Sequence, residues 1–413
     1  MQDNEKKPAL RFKGFTDPWE QRKLSELTSM HARIGWQNLR TSEFLDSGDY
    51  MLITGTDFDD GTVNYSTCHF VERERYEQDK NIQIRNGSIL ITKDGTLGKV
   101  AYVQGLSMPA TLNAGVFNVE IRNTSIVDER YLFQYLKAPF LMDYVDKKAT
   151  GGTIKHLNQN ILVDFPVVMP KKTEQVSIGN FFQIIDTLIT LHQRKYEKLV
   201  NIKKSMLDKM FPQNGASVPE IRFKGFTDPW EQRKFGEVVD KYEDPVETPH
   251  DGYYRLGIRS HAKGTFHSYV EKGHELETAQ MYRVAAGNFI VNITFGWEHA
   301  VAITNESDAG KLVSHRFPQY SFHDDMLPEF FKYVIADEDF RHWLWLASPG
   351  GAGRNRVLKL DEMLNYEMVL PSKEEQQRIA AIFCNLDTLI TLHQRKLEKL
   401  QNIKKSCLEK MFV

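Results

Sequence analysis

Two glycine-rich segments hold the residues of this 413-residue sequence that are best suited to bind a ligand. The first, "ATGGTIKHLN", begins at Ala149, and the second, "ASPGGAGRNRVLKL", begins at Ala347. Glycine lets backbone N–H groups approach a ligand closely, and Thr, Lys, Arg and His add donors that suit phosphate groups. Arginine can bind guanine through two hydrogen bonds, and asparagine can bind adenine. The candidate contacts are Thr150, Gly151, Gly152, Thr153, Lys155, His156, Gly350, Gly351, Arg354, Asn355, Arg356 and Lys359, with Lys93 as a further candidate.

A glycine turn after a helix is also an ordinary helix C-cap, and that alternative stays open for both segments. Other chemistry finds no support in the sequence. It has no GxxxxGK[ST] phosphate loop, no Cys/His spacing for zinc, no GxSxG elbow and no NPPY-like or DPPY-like motif. We therefore expect a chain that is not an enzyme by itself and that carries no cofactor or metal of its own.

Charge is distributed unevenly along the chain. Residues 15–170 hold 16 basic and 20 acidic side chains, and residues 216–371 hold 17 and 24. A domain that binds DNA unaided is usually basic, so this excess of acid argues against autonomous nucleic-acid binding. No apolar run reaches the roughly 18 to 20 residues of a membrane span, and the first residues do not resemble a signal peptide. The sequence predicts a cytoplasmic protein without a membrane partner.

The elements that must position the glycine segments are predicted in the same order in two parts of the chain. "NGSILITKDGTLGKVAYV" (Asn86–Val103) predicts a strand, a glycine turn and a second strand, as does "AGNFIVNITFGWEHAVAIT" (Ala286–Thr304). An aromatic amphipathic helix follows in each case, predicted over Asp128–Val145 and over Pro328–Leu346. Each helix leads into a glycine segment, so both blocks are predicted to be mixed α and β.

The chain also contains a duplication. "FKGFTDPWEQRK" occupies Phe12–Lys23 and recurs letter for letter at Phe223–Lys234. A second pair, "DTLITLHQRKYEKLVNIKKSMLDKMF" and "DTLITLHQRKLEKLQNIKKSCLEKMF", begins at Asp186 and at Asp387. The blocks between the repeats, roughly 28–165 and 239–366, share almost no sequence, which indicates one fold used for two different tasks.

The second repeated pair predicts two long helices with apolar residues three and four positions apart. Because a lone helix with one apolar stripe must bury it, we expect the two copies to pair as a coiled coil. The alternative is two surface helices, each packed on its own domain. Ser372 and Glu375 predict a capping box at the start of the second helix. The predicted seam is Ile178, Phe181, Ile185, Leu188, His192, Lys195, Leu199, Ile202 and Met206 in the first copy, and Ile379, Ile382, Leu386, Leu389, His393, Lys396, Leu400, Ile403 and Cys407 in the second.

These boundaries predict four segments. They are a first domain at 1–170, a long helix at 171–212, a second domain at 213–371 and a second long helix at 372–413.

The whole arrangement resembles the DNA-specificity subunit of Type I restriction–modification systems. The resemblance rests on the paired "FKGFTDPWEQRK", the paired helices, "GSILITKDGTLGKV" and "TGGT". The second half departs from the family pattern, because "NFIVNITFGWEH" lacks the second glycine and "SPGGAGRNR" is longer than "TGGTIKH".

The resemblance implies an α+β fold with two target-recognition domains in tandem, each followed by a long helix, the two helices forming an antiparallel coiled coil. It implies that each domain reads one half of a bipartite, asymmetric site in double-stranded DNA and that the helices set the gap. It also implies partners: two copies of a DNA adenine methyltransferase (modification) subunit that carries S-adenosylmethionine, and a translocating endonuclease (restriction) subunit that uses ATP and magnesium. A non-catalytic protein–protein scaffold or anti-restriction adaptor on the same frame is the alternative from another class.

The repeated "DPWEQRK" is the candidate docking surface for two identical partners. Tryptophan and arginine commonly anchor such interfaces. A core role for the tryptophans is the open alternative, because tryptophan is usually well buried. The candidate partner-binding residues are Trp19, Arg22, Lys23, Trp230, Arg233 and Lys234.

Overall fold

The computed structural model describes residues 7–148, 156–213, 215–275, 280–350 and 356–412. The chain divides into two units, of which one runs to Arg194 and resumes at Gln394, while the other is Lys195–His393. The division therefore falls inside both long helices. The predicted fold class is confirmed: two mixed α/β domains occur in tandem, and each is followed by a long helix.

Within its described residues, the first unit has two four-stranded sheets, ordered β2-β11-β8-β9 and β6-β3-β10-β7, and the two-stranded pairs β1-β12 and β4-β5. The helices are α1 (Leu24–Leu27), α2 (Arg73–Glu77), α3 (Glu129–Lys137), α4 (Phe140–Lys148), α5 (Gln159–Val163) and α6 (Lys172–Met210). The strands are β1 (Glu20–Lys23), β2 (Thr28–His31), β3 (Tyr50–Ile53), β4 (Phe58–Asp59), β5 (Thr62–Val63), β6 (His69–Val71), β7 (Gln83–Ile84), β8 (Ile89–Thr92), β9 (Val100–Tyr102), β10 (Ala110–Leu112), β11 (Val116–Ile121) and β12 (Pro166–Met169).

The second unit repeats this frame with a larger second sheet. Its described strands form the sheets β14-β22-β19-β20 and β15-β18-β21-β16-β17 and the pair β13-β23. The helices are α7 (Pro328–Val334), α8 (Glu338–Leu346), α9 (Leu360–Leu364) and α10 (Lys373–Met411). The strands are β13 (Glu231–Lys234), β14 (Val239–Tyr242), β15 (Pro245–Glu247), β16 (Tyr253–Ile258), β17 (Thr265–Val270), β18 (Gln280–Arg283), β19 (Phe289–Val291), β20 (Val301–Ile303), β21 (Leu312–Val313), β22 (Gln319–Phe322) and β23 (Glu367–Leu370).

The strand–turn–strand prediction is confirmed in both units. β8 pairs antiparallel with β9, and β19 pairs antiparallel with β20. Every residue of β8 and of β19 is buried, which explains their unbroken apolar sequence. Each pair therefore holds the turn that follows β8 or β19 on a rigid, buried support.

The single aromatic helix predicted in each block is wrong, because each is two helices. In the first unit α3 ends before Ala138–Pro139, where proline disfavours helix in the preceding residue. In the second unit the chain breaks after α7, and the Asp337 carboxylate caps α8 by accepting from the Asp339 N–H at 2.7 Å. In each unit the second helix of the pair, α4 or α8, is therefore the one that precedes the glycine segment in sequence.

The long helices pair antiparallel, as shown inside each unit. In the first unit, Phe182 of α6 stacks on Phe412, just past the end of α10, with ring centroids 5.7 Å apart. In the second unit, Phe211 lies 6.1 Å from Phe383, near the start of α10. The beginning of one helix thus packs against the end of the other, and both helices are 39 residues long.

Charged residues of the repeat fix this pairing. Asp186 of α6 lies 2.5 Å from Lys404 of α10 in the first unit. Asp387 of α10 lies 2.6 Å from Lys203 of α6 in the second. These four residues occupy equivalent places in the two copies of the repeat, so each unit receives an aspartate from one helix and the matching lysine from the other.

The predicted apolar seam is partly wrong. Leu188 and Ile202, and their equivalents Leu389 and Ile403, are exposed, each by 37 to 41%. The buried stripe of α6 instead includes Phe182 and Ile189, and that of α10 includes Phe383 and Lys404. Apolar residues lie on two faces of each helix, so spacing alone selects the wrong one.

Candidate nucleic-acid interface

The first glycine segment ends against the turn that follows β8. The Leu157 N–H donates to the Lys93 carbonyl at 2.8 Å. His156 Nδ1 lies 2.5 Å from Asp94 Oδ1, and both side chains are well exposed. The Lys93 ammonium lies 5.5 Å from the centroid of the Phe117 ring. The structure therefore brings Lys93 and His156 together, and it adds Asp94, which sequence reasoning missed.

Residues 149–155 lie outside the described structure, so the predicted contacts Thr150, Gly151, Gly152, Thr153 and Lys155 cannot be placed.

The turn itself is tightly made. Gly95 and Gly98 both have positive φ angles, 74° and 71°, which side-chain-bearing residues rarely adopt. The Lys99 N–H donates to Thr92 Oγ1 at 2.9 Å, and that hydroxyl in turn donates to the Thr96 carbonyl. This closure presents Asp94 at the exposed end of a buried strand. A carboxylate there can accept a hydrogen bond from the amino group of cytosine.

The second unit has the same attachment with different side chains. The Leu358 N–H donates to the Ile293 carbonyl at 2.9 Å, as Leu157 does to Lys93. His299 caps the turn with a φ of 62°, and its Nε2 lies 2.6 Å from the Ile335 carbonyl. Burial lowers the pKa of His299, so it holds the turn as a neutral, buried group. His299 is therefore structural.

Arg356, which is half-buried, stacks on the exposed Trp345 of α8. Its guanidinium lies 4.7 Å from the Trp345 ring centroid, and the His342 ring lies 6.0 Å from Trp345 at 14°. Trp345 is 41% exposed. The ring limits the freedom of the arginine and leaves its donors available, an arrangement suited to phosphate or guanine. Sequence reasoning missed Trp345, because it counted α8 only as an amphipathic helix.

The remaining candidates of the second segment divide into two groups. Gly350 and Lys359 are described and exposed, and the Lys359 N–H donates to the Ala347 carbonyl at 2.9 Å, which closes the base of the segment. Gly351, Arg354 and Asn355 lie outside the described residues.

The two repeated tryptophans lie in the cores of their units. Trp19 and Trp230 are 6% and 3% exposed. The Trp19 ring lies 6.2 Å from Tyr131, and the Trp230 ring lies 6.2 Å from Phe330. This placement favours the core role over an exposed anchor.

The charged neighbours of these tryptophans remain accessible. Lys23 pairs with Asp164 at 2.7 Å, and Arg22 pairs with Glu20 of its own strand at 3.1 Å. In the second copy, Arg233 pairs with Asp325 at 2.9 Å. Lys234 is exposed. These residues can still border a docking surface.

The arginine that directly precedes each repeated segment ties it to the start of a long helix by a two-point ion pair. Arg11 donates to both carboxylate oxygens of Glu174 at 2.7 Å, and Arg222 donates to both of Glu375 at 2.8 Å. The hydrogen bonds that Arg222 donates to Glu375 raise the pKa of Arg222. Ser372 Oγ does accept from the Glu375 N–H, at 3.4 Å, but the Glu375 carboxylate is bound to Arg222. The predicted capping box is thus only half formed.

In the second unit this junction encloses a cavity of about 370 Å³, lined by Phe226, Asp228, Arg233 and Lys373 among others. Most of its lining comes from the repeated segment and the start of α10. None of the described helices contains an apolar stretch of the length that a membrane span requires.

Comparison with known proteins identifies the family to which the repeated domains are similar. Residues 16–201 and 228–402 match the family described as the Type I restriction modification DNA specificity domain. The chain is 24% identical over 342 residues to the Type I restriction enzyme MjaVIII specificity subunit of Methanocaldococcus jannaschii, covering 79% of this chain and 78% of that protein. It is 23% identical over 415 residues to the putative type I restriction enzyme MjaX specificity subunit of the same organism, covering 94% and 91%.

Among solved structures, the chain is similar to the S subunit of a Type-I restriction-modification system from M. genitalium. The TM-score is 0.63 at 13% identity, and the match covers 98% of this chain and 99% of that one. At that identity the likeness concerns the fold. The two family matches span most of the sequence, and the chain therefore belongs to the Type I restriction modification DNA specificity domain family, of which it carries two copies in tandem.

Proposed function

We propose that this chain is the sequence-specific DNA-recognition subunit of a Type I restriction–modification complex, with each domain reading one half of a bipartite, asymmetric DNA site. The observation that carries the proposal is that two specificity domains share one repeated frame but place different side chains beside the equivalent turns. The first domain presents Lys93, Asp94 and His156 where the second presents Arg356 beside Trp345. Different donors and acceptors select different bases, so the half-sites differ.

We also assign DNA contacts, on residue type alone, to glycine-segment residues that lie outside the described structure. They are Thr150, Gly151, Gly152, Thr153 and Lys155 in the first segment, and Gly351, Arg354 and Asn355 in the second. Their types suit phosphate contacts, which fix the position of a protein on the duplex, and base contacts, which set specificity.

The chain recognises DNA and leaves the chemistry to its partners. Two copies of an adenine methyltransferase subunit supply S-adenosylmethionine and flip the target adenine, and a translocating endonuclease subunit supplies ATP and magnesium chemistry. The partners add positive surface around the duplex, which offsets the acidic balance of both domains. The complex works in the cytoplasm, where chromosomal DNA lies.

The repeated segments dock the two methyltransferase subunits. Both copies attach to a helix start through the same arginine–glutamate pair, so they offer identical partners the same surface. Arg22 and Lys23 in one copy, and Arg233 and Lys234 in the other, form its charged border. In the second unit this border adjoins the cavity at Phe226.

An exchange of one domain tests the proposal. Residues 28–165 are replaced by the matching block of a relative, and methylated adenines are mapped across the genome of cells that carry each version. We expect one half of the methylated motif to change and the other half, with the gap, to stay. The reciprocal exchange of residues 239–366 is the control and should change only the other half. Methylation of one continuous site, or a change in both halves from one exchange, would reject two independent readers.

A further inference from the structure

A cavity of about 660 Å³ lies in the second unit, outside the glycine segment. Its walls are the hairpin β16-β17, the turn after β19 and the chain that follows β21. The aromatic lining residues are Phe266, Phe295 and Phe317, and the polar ones are Arg255, Ser260, Asn292, Glu298, Ser314, His315 and Arg316. We call this cavity the β16 groove.

The charge of the β16 groove is unbalanced in favour of cations. Arg255 and Arg316 are exposed, and neither has a carboxylate partner among the described residues. The one acidic lining residue, Glu298, accepts a hydrogen bond from Ser260 Oγ at 2.8 Å. Four other arginines of the unit, Arg222, Arg233, Arg283 and Arg341, each bind a carboxylate. Three more, Arg259, Arg356 and Arg378, lie over aromatic rings.

This contrast matters because residues 216–371 hold 24 acidic side chains and 17 basic ones. Where carboxylates are in excess, an arginine that pairs with none is placed for a partner from outside. A row of phosphates is such a partner, since each guanidinium can bind one through two parallel hydrogen bonds.

One wall of the β16 groove is a fixed aromatic surface. Phe266 crosses from β17 onto Gly257 of β16, where an added Cβ would lie 2.3 Å from its ring. The Arg259 guanidinium lies 5.3 Å from the ring centroid and donates to the Thr265 carbonyl. Phe266 is nevertheless 41% exposed. It offers a flat apolar surface, next to Arg255, that suits a deoxyribose.

The β16 groove is joined to the candidate interface. The Ile293 N–H donates to the carbonyl of Arg316 at 3.0 Å, and the Ile293 carbonyl accepts from Leu358, two residues after Arg356. One residue of the turn therefore connects the groove to the end of the glycine segment. DNA that reaches Arg356 has the groove beside it.

We propose that the β16 groove is a phosphate-binding site of the second domain, in which Arg255 and Arg316 hold the DNA backbone and Phe266 packs against its sugars. This proposal rests on the proposed function, because it takes DNA to be the ligand. It adds a site in the second domain that is separate from the glycine segment. A phosphate site sets how the domain sits on the duplex and thus which base pairs reach Arg356.

The test is the salt dependence of DNA binding by the complex assembled with its methyltransferase subunits. The double variant Arg255→Ala with Arg316→Ala is compared with wild type on two duplexes, one with the mapped methylation motif and one with the second half scrambled. The loss of two phosphate contacts should weaken binding to both duplexes at least about tenfold and reduce the slope of log K against log salt by about 1.8. Arg283→Ala is the matched control, since Arg283 belongs to the same domain and pairs with Asp244.

The outcomes separate the two proposals. The Arg283→Ala control should keep the wild-type slope and affinity. If the double variant keeps them as well, the groove does not bind phosphate. A loss confined to the motif duplex with an unchanged slope also overturns the proposal, because phosphate contacts act on every sequence. If the wild-type complex binds both duplexes equally, the proposed recognition function fails, while the slope still reports whether the groove contacts DNA. Circular dichroism melting of the variants shows that they are folded.

Discussion

At the residue scale, the two candidate interfaces differ in the charge of the side chains that they present. The first presents an acidic acceptor, Asp94, against His156, and the second presents Arg356 against Trp345. Both pairs are held by the same backbone attachment, Leu157 to Lys93 and Leu358 to Ile293. The shared backbone attachment therefore fixes where a side chain lies, and the sequence of each block determines which side chain lies there.

Arg356 should be a base or phosphate contact that depends on Trp345. We expect Arg356→Ala to weaken binding of the assembled complex to its site by about 1 to 3 kcal/mol if the guanidinium reads a base. Trp345→Ala should reproduce part of that loss, because the arginine is no longer positioned, and Trp345→Phe should restore it. Binding is measured by fluorescence anisotropy on cognate and scrambled duplexes. An Arg356→Ala complex that equals wild type on both would place Arg356 outside the interface.

Asp387 should stabilise the helix pair of the second unit. It accepts hydrogen bonds from Lys203, Lys332 and the Tyr333 hydroxyl, at 2.6 to 3.0 Å. Burial raises the pKa of Asp387, but the two lysines outweigh burial and hold that pKa below its usual value. Asp387→Asn should therefore lower the free energy of unfolding by about 1 to 3 kcal/mol at neutral pH, because charge-assisted hydrogen bonds are lost.

The sign of the pH effect follows from the lowered pKa. The carboxylate contributes stability above its unfolded pKa, near 4, and this contribution disappears as the pH falls through the lower folded value. The difference between wild type and Asp387→Asn should thus shrink in acid, as measured by thermal melting across pH. Exposed Glu409→Gln is the control and should change stability by less than about 0.5 kcal/mol. A gap between wild type and Asp387→Asn that stays constant down to low pH would contradict this account.

At the element scale, the sequence predicted correctly those strands, turns and helices whose formation depends on the local residue pattern. The buried runs of β8 and β19, their turns and the two long helices follow from hydrophobic period and glycine position. The break between α3 and α4 was present in the sequence as Pro139 and was overlooked. The helix seam was misplaced because Leu188 and Leu389 make a second apolar face that the structure leaves exposed.

The candidate site was predictable only where its residues are neighbours in sequence. Arg356 stands out because it follows a glycine cluster. Arg255 and Arg316 are far apart in the chain and line one cavity because β16 runs parallel to β21, where Arg255 pairs with Leu312. Such a long-range pairing has no local signal. Asp94 and His156 illustrate the same limit in the first unit.

The length of the two long helices should set the number of base pairs between the half-sites. Removing one heptad from both, residues 193–199 and 394–400, keeps Asp186 with Lys404 and Lys203 with Asp387 in register, since equivalent residues leave each helix. Seven residues are about 10 Å of helix, roughly three base pairs of rise. We expect the mapped methylation motif to keep both half-sites and to lose about three base pairs from its gap.

Two further results decide whether the helices set the spacing of the half-sites. Circular dichroism must show that the shortened chain keeps its helix content, with removal of one heptad from α6 alone as the unmatched comparison. That single deletion should disrupt pairing, because it moves Lys203 out of register with Asp387. A folded, active double deletion with an unchanged gap would mean that the helices do not set the spacing.

At the scale of the whole molecule, the repeated sequences and the divergent sequences occupy separate parts of the chain. The segments that repeat are those that build the frame, including the ion pairs of Arg11 and Arg222 with the helix starts. The blocks that diverge are those that carry the exposed candidate contacts. Selection for one partner used twice would preserve the first set, and two different half-sites would diversify the second.

The proposed docking role of the repeated segments predicts that each chain binds two methyltransferase subunits. Reversing charge at one border, Arg22→Glu with Lys23→Glu, should leave a folded chain that binds one partner. Both residues form exposed ion pairs, which contribute little to stability. Native mass spectrometry of the chain mixed with its partner measures the count directly. Reversal of Arg73 and Lys80, exposed residues elsewhere in the first domain, is the matched control and should leave two partners bound.

The companion variant Arg233→Glu with Lys234→Glu should also retain one partner, and the combination of both pairs should retain none. A wild-type complex that contains a single methyltransferase subunit would reject the idea that the repeat docks a pair. If the combined variant still binds two, docking lies elsewhere on the repeated sequence. The long helices would then be the place to examine, because Leu191 and Leu392, at equivalent positions of the two copies, are exposed by 56% and 43% and present the same apolar surface twice.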